Sequence, residues 1–237
     1  MNSCKYDLII IGDGSIGLVS AYKLFSYDRN LKICIISENQ KSATKAAGAM
    51  HAAFGEIEKN FYESNHEKKI LELALASRLQ YINYFKQNGG LNKFIQSYDT
   101  LVYLNKSKNF FEKENYFTMK DIVQKKKYHK KISDKFISKL QNKNINDSTL
   151  IKSEFTFNPI TFLNSLKNNL EKKIIFKHAK CLKIKNSKDG FVEIFTDKNE
   201  KIIAKKLIYC GGSNMINELF GHKIKNLLFY GVGSALL

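Results

Sequence analysis

Tyr6-Asp7-Leu8-Ile9-Ile10-Ile11-Gly12-Asp13-Gly14-Ser15-Ile16-Gly17 is the stretch whose reading decides the fold. An apolar run leads straight into glycines spaced G-x-G-x-x-G, and residues 18–25 are amphipathic. The pattern reads as a buried strand, a tight turn and the first turn of a helix. Gly12 lets the chain reverse, Gly14 leaves a pyrophosphate room to approach, and Gly17 lets the helix pack close to the strand. About twenty residues on, Lys32-Ile33-Cys34-Ile35-Ile36 reads as a second buried strand ending at Ser37-Glu38. Glu38 stands where an acid meets a ribose hydroxyl, and its charge disfavours a 2′-phosphate. The expectation is a dinucleotide site that is not of the NADP type.

Composition narrows the class. The 237 residues are 43% hydrophobic and 12% aromatic, as in a globular chain with a sizeable core. The net charge of +17 is carried almost wholly by lysine, because Arg29 and Arg78 are the only arginines. Base-reading and bidentate phosphate sites favour the guanidinium fork, so the lysines read mainly as a solvated face, and a nucleic-acid partner is not the leading expectation. Cys4, Cys34, Cys181 and Cys210 form no C-x-x-C pair, which points to free thiols and a cytoplasmic location. Neither a signal peptide nor a membrane span is read, and the histidines show no metal-like spacing.

Along the chain, residues 41–56 are rich in small side chains, which permit close backbone packing or leave room for a flat ligand. His51 lies in this stretch; a lone histidine is more often structural than catalytic. A helix is expected over 63–87, with an apolar stripe of Leu71, Leu75, Leu79, Ile82 and Phe85 stopped by Gly89-Gly90. Residues 98–104 read as a strand. The lysine-rich span to about 146 reads as a peripheral layer of short helical segments in which Phe110, Phe111, Tyr116, Phe117 and Phe136 require burial. Asn158-Pro159 opens a helix, with asparagine as cap and proline at the first position. Short strands follow at 174–176, 181–184, 190–196 and 201–204, then a buried strand at 206–210 that runs into Gly211-Gly212-Ser213.

Four segments in order resemble the D-amino-acid-oxidase/glycine-oxidase superfamily of FAD-dependent oxidoreductases: the Gly12-x-Gly14-x-x-Gly17 motif with Glu38, the small-residue stretch 43–50, Phe157-Asn158-Pro159-Ile160-Thr161-Phe162-Leu163, and Leu207-Ile208-Tyr209-Cys210-Gly211-Gly212-Ser213. The fold this resemblance implies is α/β, a Rossmann-type FAD-binding domain of the glutathione-reductase kind with a β-meander insertion and a partial α+β substrate domain. Its parts would be residues 1–91 (FAD domain, first part), 92–157 (partial substrate domain), 158–222 (FAD domain, second part) and 223–237 (start of a further substrate-domain segment). The implied cofactor is FAD. Gly12, Gly14, Ser15, Ile16 and Gly17 would meet its pyrophosphate and Glu38 its ribose. Cys181 would lie at the adenine, Thr44, Ala46, Ala47, Gly48 and Met50 would flank the isoalloxazine, and Gly211 and Gly212 would approach the cofactor.

The implied reaction is oxidation of a C–N bond of a small amine or amino acid, with hydride passing to flavin N5. The resemblance assigns no catalytic residue. Family members run further, and the chain is expected to lack their closing glycine-rich segment and carboxylate-binding arginine, with a second chain as one way to complete the substrate domain. The alternatives are a non-catalytic remnant or structural subunit that keeps the dinucleotide fold, and a flavin oxidoreductase acting on an RNA-attached substrate. A plain NAD-dependent dehydrogenase shares the opening motif but leaves residues 41–56 and the meander unexplained.

Overall fold

The computed structural model describes residues 6–38, 49–55, 57–106, 109–132 and 144–212. The chain divides into two units, Met1–Ala47 with Pro159–Leu237, and Gly48–Asn158.

In the first unit β1 (Tyr6–Ile11) leads through α1 (Ser15–Tyr27) to β2 (Ile33–Ser37), and the two strands are parallel. Both are continuous apolar runs because both sheet faces are covered: Ile9, Ile10, Ile11, Cys34, Ile35 and Ile36 are fully buried. Their partners in the unit come from the far end of the sequence. They are α5 (Pro159–Leu170), β7 (Ile175–His178), β8 (Cys181–Asn186), β9 (Val192–Thr196) and β10 (Lys201–Tyr209). Among the described residues the strand order is β7-β2-β1-β10-β9-β8, parallel over the first four and antiparallel through the meander. Pro159 begins α5, which buries Phe162, Leu163, Leu166 and Leu170 and packs beside α1. The two strands expected at 201–204 and 206–210 are one strand. The early residues of β10 pair with β9 while β10 also runs parallel to β1, so one extended segment serves both neighbours.

The second unit holds β3 (Met50–His51), α2 (Asn65–Gln87), α3 (Leu91–Phe94), β4 (Ile95–Asn105), α4 (Phe110–Lys125), β5 (His129–Lys130) and β6 (Ile145–Phe157). The central strand is β6, with β3, β4 and β5 antiparallel to it. Residues 48–91, expected with the dinucleotide domain, group here instead. The reason is aromatic packing: Phe85 of α2 stacks on Phe94 of α3 at 4.6 Å and meets Phe155 and Phe157 of β6.

Other expectations shift too. Ser64 caps α2 by accepting from the Glu67 amide, so the helix begins two residues later than expected; Leu79 on the anticipated stripe is exposed. The span expected to hold short helical segments contains α4, a helix of 16 residues opened by an Asn109/Glu112 capping box. It buries Tyr116, Met119, Ile122 and Val123, while Phe110, Phe111 and Phe117 face outward rather than inward. Phe136 lies outside the described residues, as do Cys4 and residues 223–237.

Candidate functional site

The carboxyl ends of β1, β2 and β10 meet around the glycine turn. Gly12 has φ +105°, and a Cβ there would stand 2.4 Å from the Cys210 carbonyl oxygen. Backbone bonds lock the junction: the Gly12 amide donates to Ile36 at 2.8 Å, and the Cys210 amide donates to Ile11 at 2.7 Å. A Cβ on Gly17 would lie 2.0 Å from the Gly12 carbonyl oxygen, so this glycine is required by the turn itself, more than by the strand beneath it. Gly14 is the N-cap of α1 and supplies no side-chain cap; the first helical bond of the turn runs from the Leu18 amide to Gly14. The amides of Ser15, Ile16 and Gly17 precede that bond at the positive end of the helix dipole. Ile16 is 70% exposed, an apolar side chain left on the rim of the turn. Gly211 borders Gly12, and Gly212 follows with φ +73° and open space where a Cβ would be.

Glu38 leaves the end of β2, and its charge acts on the thiol of Cys181 at the start of β8. Burial, more than that charge, pushes the Cys181 thiol up to about 11, so it stays protonated and chemically quiet. Cys210 is likewise raised by burial, and Cys34, Cys181 and Cys210 are free thiols. A group not anticipated is His178, whose Nδ1 donates to the Ser37 carbonyl at 3.1 Å and ties β7 to the strand end that carries Glu38. The only signal for it was the continuation of the 174–176 strand into Lys177-His178.

Gly12, Gly14, Ser15, Ile16, Gly17, Glu38, Cys181, Gly211 and Gly212 therefore all belong to the first unit, at or beside these strand and helix ends. Met50 belongs to the second unit, where it is 58% exposed on β3 and pairs with Thr156. Thr44, Ala46, Ala47 and Gly48 lie outside the described residues. His51 is a packing residue. Its Nε2 meets the Ala74 carbonyl at 3.1 Å and the Ser77 hydroxyl at 3.2 Å, its ring stacks on Phe155, and burial lowers its pKa. Arg78 donates through Nε to the Ser153 carbonyl at 2.6 Å. Among the described residues there is no metal-binding cluster, and no helix is long and apolar enough to cross a membrane.

An uncapped helix start, a glycine turn pressed against the next strand, and an acid at the end of the second strand define a dinucleotide-binding protein of the Rossmann class. Residues 7–236 match the family model described as FAD dependent oxidoreductase, DAO, and the chain belongs to that family. The fold is similar to glycine oxidase from Geobacillus kaustophilus (TM-score 0.71, 14% identity, covering 91% of this chain and 58% of that one). It is also similar to L-proline dehydrogenase from P. horikoshii (TM-score 0.69, 14% identity, 93% and 57%). A third similar structure is dithionite-reduced L-alpha-glycerophosphate oxidase from Mycoplasma pneumoniae with FAD bound (TM-score 0.65, 19% identity, 85% and 53%). The chain thus spans little more than half the length of these solved chains. Comparison with curated proteins finds no match.

Proposed function

We propose that the first unit holds FAD and that the chain serves an oxidoreductase acting on the C–N bond of a small amine or amino acid. The observation that carries the reading is the Gly12–Cys210 junction beside the start of α1: a Cβ would fill the cradle, and Gly14 at the N-cap supplies no side-chain cap. In this reading Gly12, Gly14, Ser15, Ile16 and Gly17 hold the pyrophosphate through backbone amides, and the Glu38 carboxylate accepts from the adenosine ribose. The Cys181 backbone lies at the adenine. Gly211 and Gly212 bring the end of β10 toward the cofactor.

Bound FAD supplies a hydride acceptor at N5. The chain's part is to bind, orient and exclude water; it need supply no general base. The free thiols agree with a reducing, cytoplasmic setting.

The test is the purified full chain. It is expected to carry flavin absorbance, or to acquire it on titration with FAD, and to reduce a dye when given amino acids or secondary amines. A chain that takes up no FAD overturns the cofactor reading. Turnover of glycerol phosphate in preference to every amine overturns the substrate class and leaves the cofactor reading intact.

A further inference from the structure

We infer that the outer face of α4, with the lysine run that follows it, is a docking surface for an anionic phospholipid bilayer. This inference is independent of the flavin site. Three observations in the second unit carry it.

First, Phe110, Phe111 and Phe117 are 67%, 62% and 50% exposed on a helix whose capping box fixes its first turn. Three outward phenylalanines on one short helix are more apolar surface than solvation alone favours. Phe110 and Phe117 are seven residues apart and share a face.

Second, α4 ends in Lys125-Lys126-Lys127-Tyr128-His129-Lys130-Lys131, where every residue but Tyr128 is exposed. The helix closes as a Schellman motif. The Tyr128 amide donates to Val123 at 2.8 Å and the Lys127 amide to Gln124 at 2.9 Å, with Tyr128 and Val123 packed in the same core. Lys127 occupies the left-handed position, φ +59°, where glycine is the usual residue. A lysine stands there against the local backbone preference, at the tip of the turn.

Third, the acids around the helix are already engaged. Glu112 serves the capping box, Glu114 pairs with Lys59, Asp121 with Lys125, Asp147 with Lys120, and Asp99 with Lys130. Lys113, Lys126, Lys127 and Lys131 have no acid partner among the described residues and give the surface its positive excess.

Phenyl groups without polar tips on a helix that ends in flexible ammonium groups complement the acyl–headgroup boundary of an anionic leaflet, where lysine stems run along apolar surface and their charges reach phosphate. Lysine in place of arginine suits this diffuse field, and Phe110 and Phe117 lie on one helix face with the lysine run beyond the helix end, instead of alternating with cations along a groove, as strand-tracking nucleic-acid sites do. The helix, about 24 Å long, would lie flat on the surface.

The test is co-sedimentation of the full chain with vesicles of phosphatidylcholine, with and without phosphatidylserine. Binding is expected only with phosphatidylserine and should weaken as salt rises. The combined substitution Lys126→Glu/Lys127→Glu/Lys131→Glu should lower it on the order of 100-fold or more, and Phe110→Ser/Phe117→Ser should also lower it. Lys127→Gly should lose about fivefold, from one charge, without weakening the fold, which separates charge from misfolding. Three results would overturn the inference: no preference for phosphatidylserine vesicles, unchanged binding by all three variants, or vesicle binding abolished by single-stranded RNA that the Phe variants bind equally well. Self-association lost in the Phe variants, without vesicle binding, would assign the face to a second copy instead.

Discussion

A Cβ on Gly17 would stand 2.0 Å from the carbonyl oxygen of Gly12, closer than any non-bonded carbon and oxygen can approach. Helix α1 therefore starts against the turn that precedes it, and neither of those backbone groups is the end of a flexible side chain that could give way. Gly17→Ala is expected to destabilise the fold by about 3 kcal/mol and to abolish FAD uptake, read by urea denaturation and flavin titration. A Gly17→Ala chain with unchanged stability would mean that α1 begins elsewhere.

Glu38 offers a sharper probe, because it serves only the adenosine half of the proposed ligand. Glu38→Ala is expected to weaken FAD binding about tenfold or more, the scale of one lost hydrogen bond to a charged group. Affinity for FMN, which has no adenosine, should be unchanged. Equal losses for both flavins would remove Glu38 from the ribose. The measurement is quenching of flavin fluorescence on titration.

Arg78 and Ser153 make a structural pair. Ser153 sits at φ +73°, its amide donates to Asp99 at 2.9 Å, and its carbonyl accepts from Arg78. Arg78→Ala is expected to cost about 2 kcal/mol of stability, the scale of a bond to a charged donor, with Arg78→Lys restoring only part. FAD affinity, which belongs to the other unit, should not move. Ser153→Gly should be tolerated or stabilise by about 1 kcal/mol.

The left-handed Ser153 also explains what the sequence concealed. Strands β1 and β2 were legible because burial on both faces leaves continuous isoleucine runs, and the glycine turn was legible because its spacing follows from close backbone contacts. The central strand of the second unit, β6, was not. Register shifts between Tyr98 and Thr100, opposite the left-handed Ser153, interrupt the alternation that marks a strand, so its buried positions fall out of phase midway. Helix α4 was hidden for the converse reason: outward Phe110, Phe111 and Phe117 obscure the stripe of Tyr116, Met119, Ile122 and Val123. The glycine turn is readable because glycine chemistry is local. The grouping of 48–91 with the second unit depends on Phe85 meeting Phe155 and Phe157, contacts of long sequence separation that no local pattern carries.

Glu154 carries a pH signature of its own. It is 3% exposed in the middle of β6, where Oε1 accepts from the Phe54 amide at 3.0 Å and Oε2 has no hydrogen-bond partner. Burial raises its pKa, with the Phe54 amide and the Thr100 hydroxyl pulling the other way. The folded chain therefore holds this proton at a pH where the unfolded chain has released it. The stability this contributes is fully present below the ordinary glutamate pKa and is lost as pH rises toward the folded value, at up to about 1.4 kcal/mol per pH unit. Glu154→Gln keeps an acceptor for Phe54 and has no proton to lose. Its advantage over the parent chain in urea midpoint should therefore grow as pH is raised from about 4.5 to neutrality. Glu154→Leu strands the Phe54 amide and should cost about 1–3 kcal/mol relative to Glu154→Gln at any pH. A difference between the parent and Glu154→Gln that stays flat across this range would show that the carboxyl is solvated, and that the turn after β3 is not held by a buried acid.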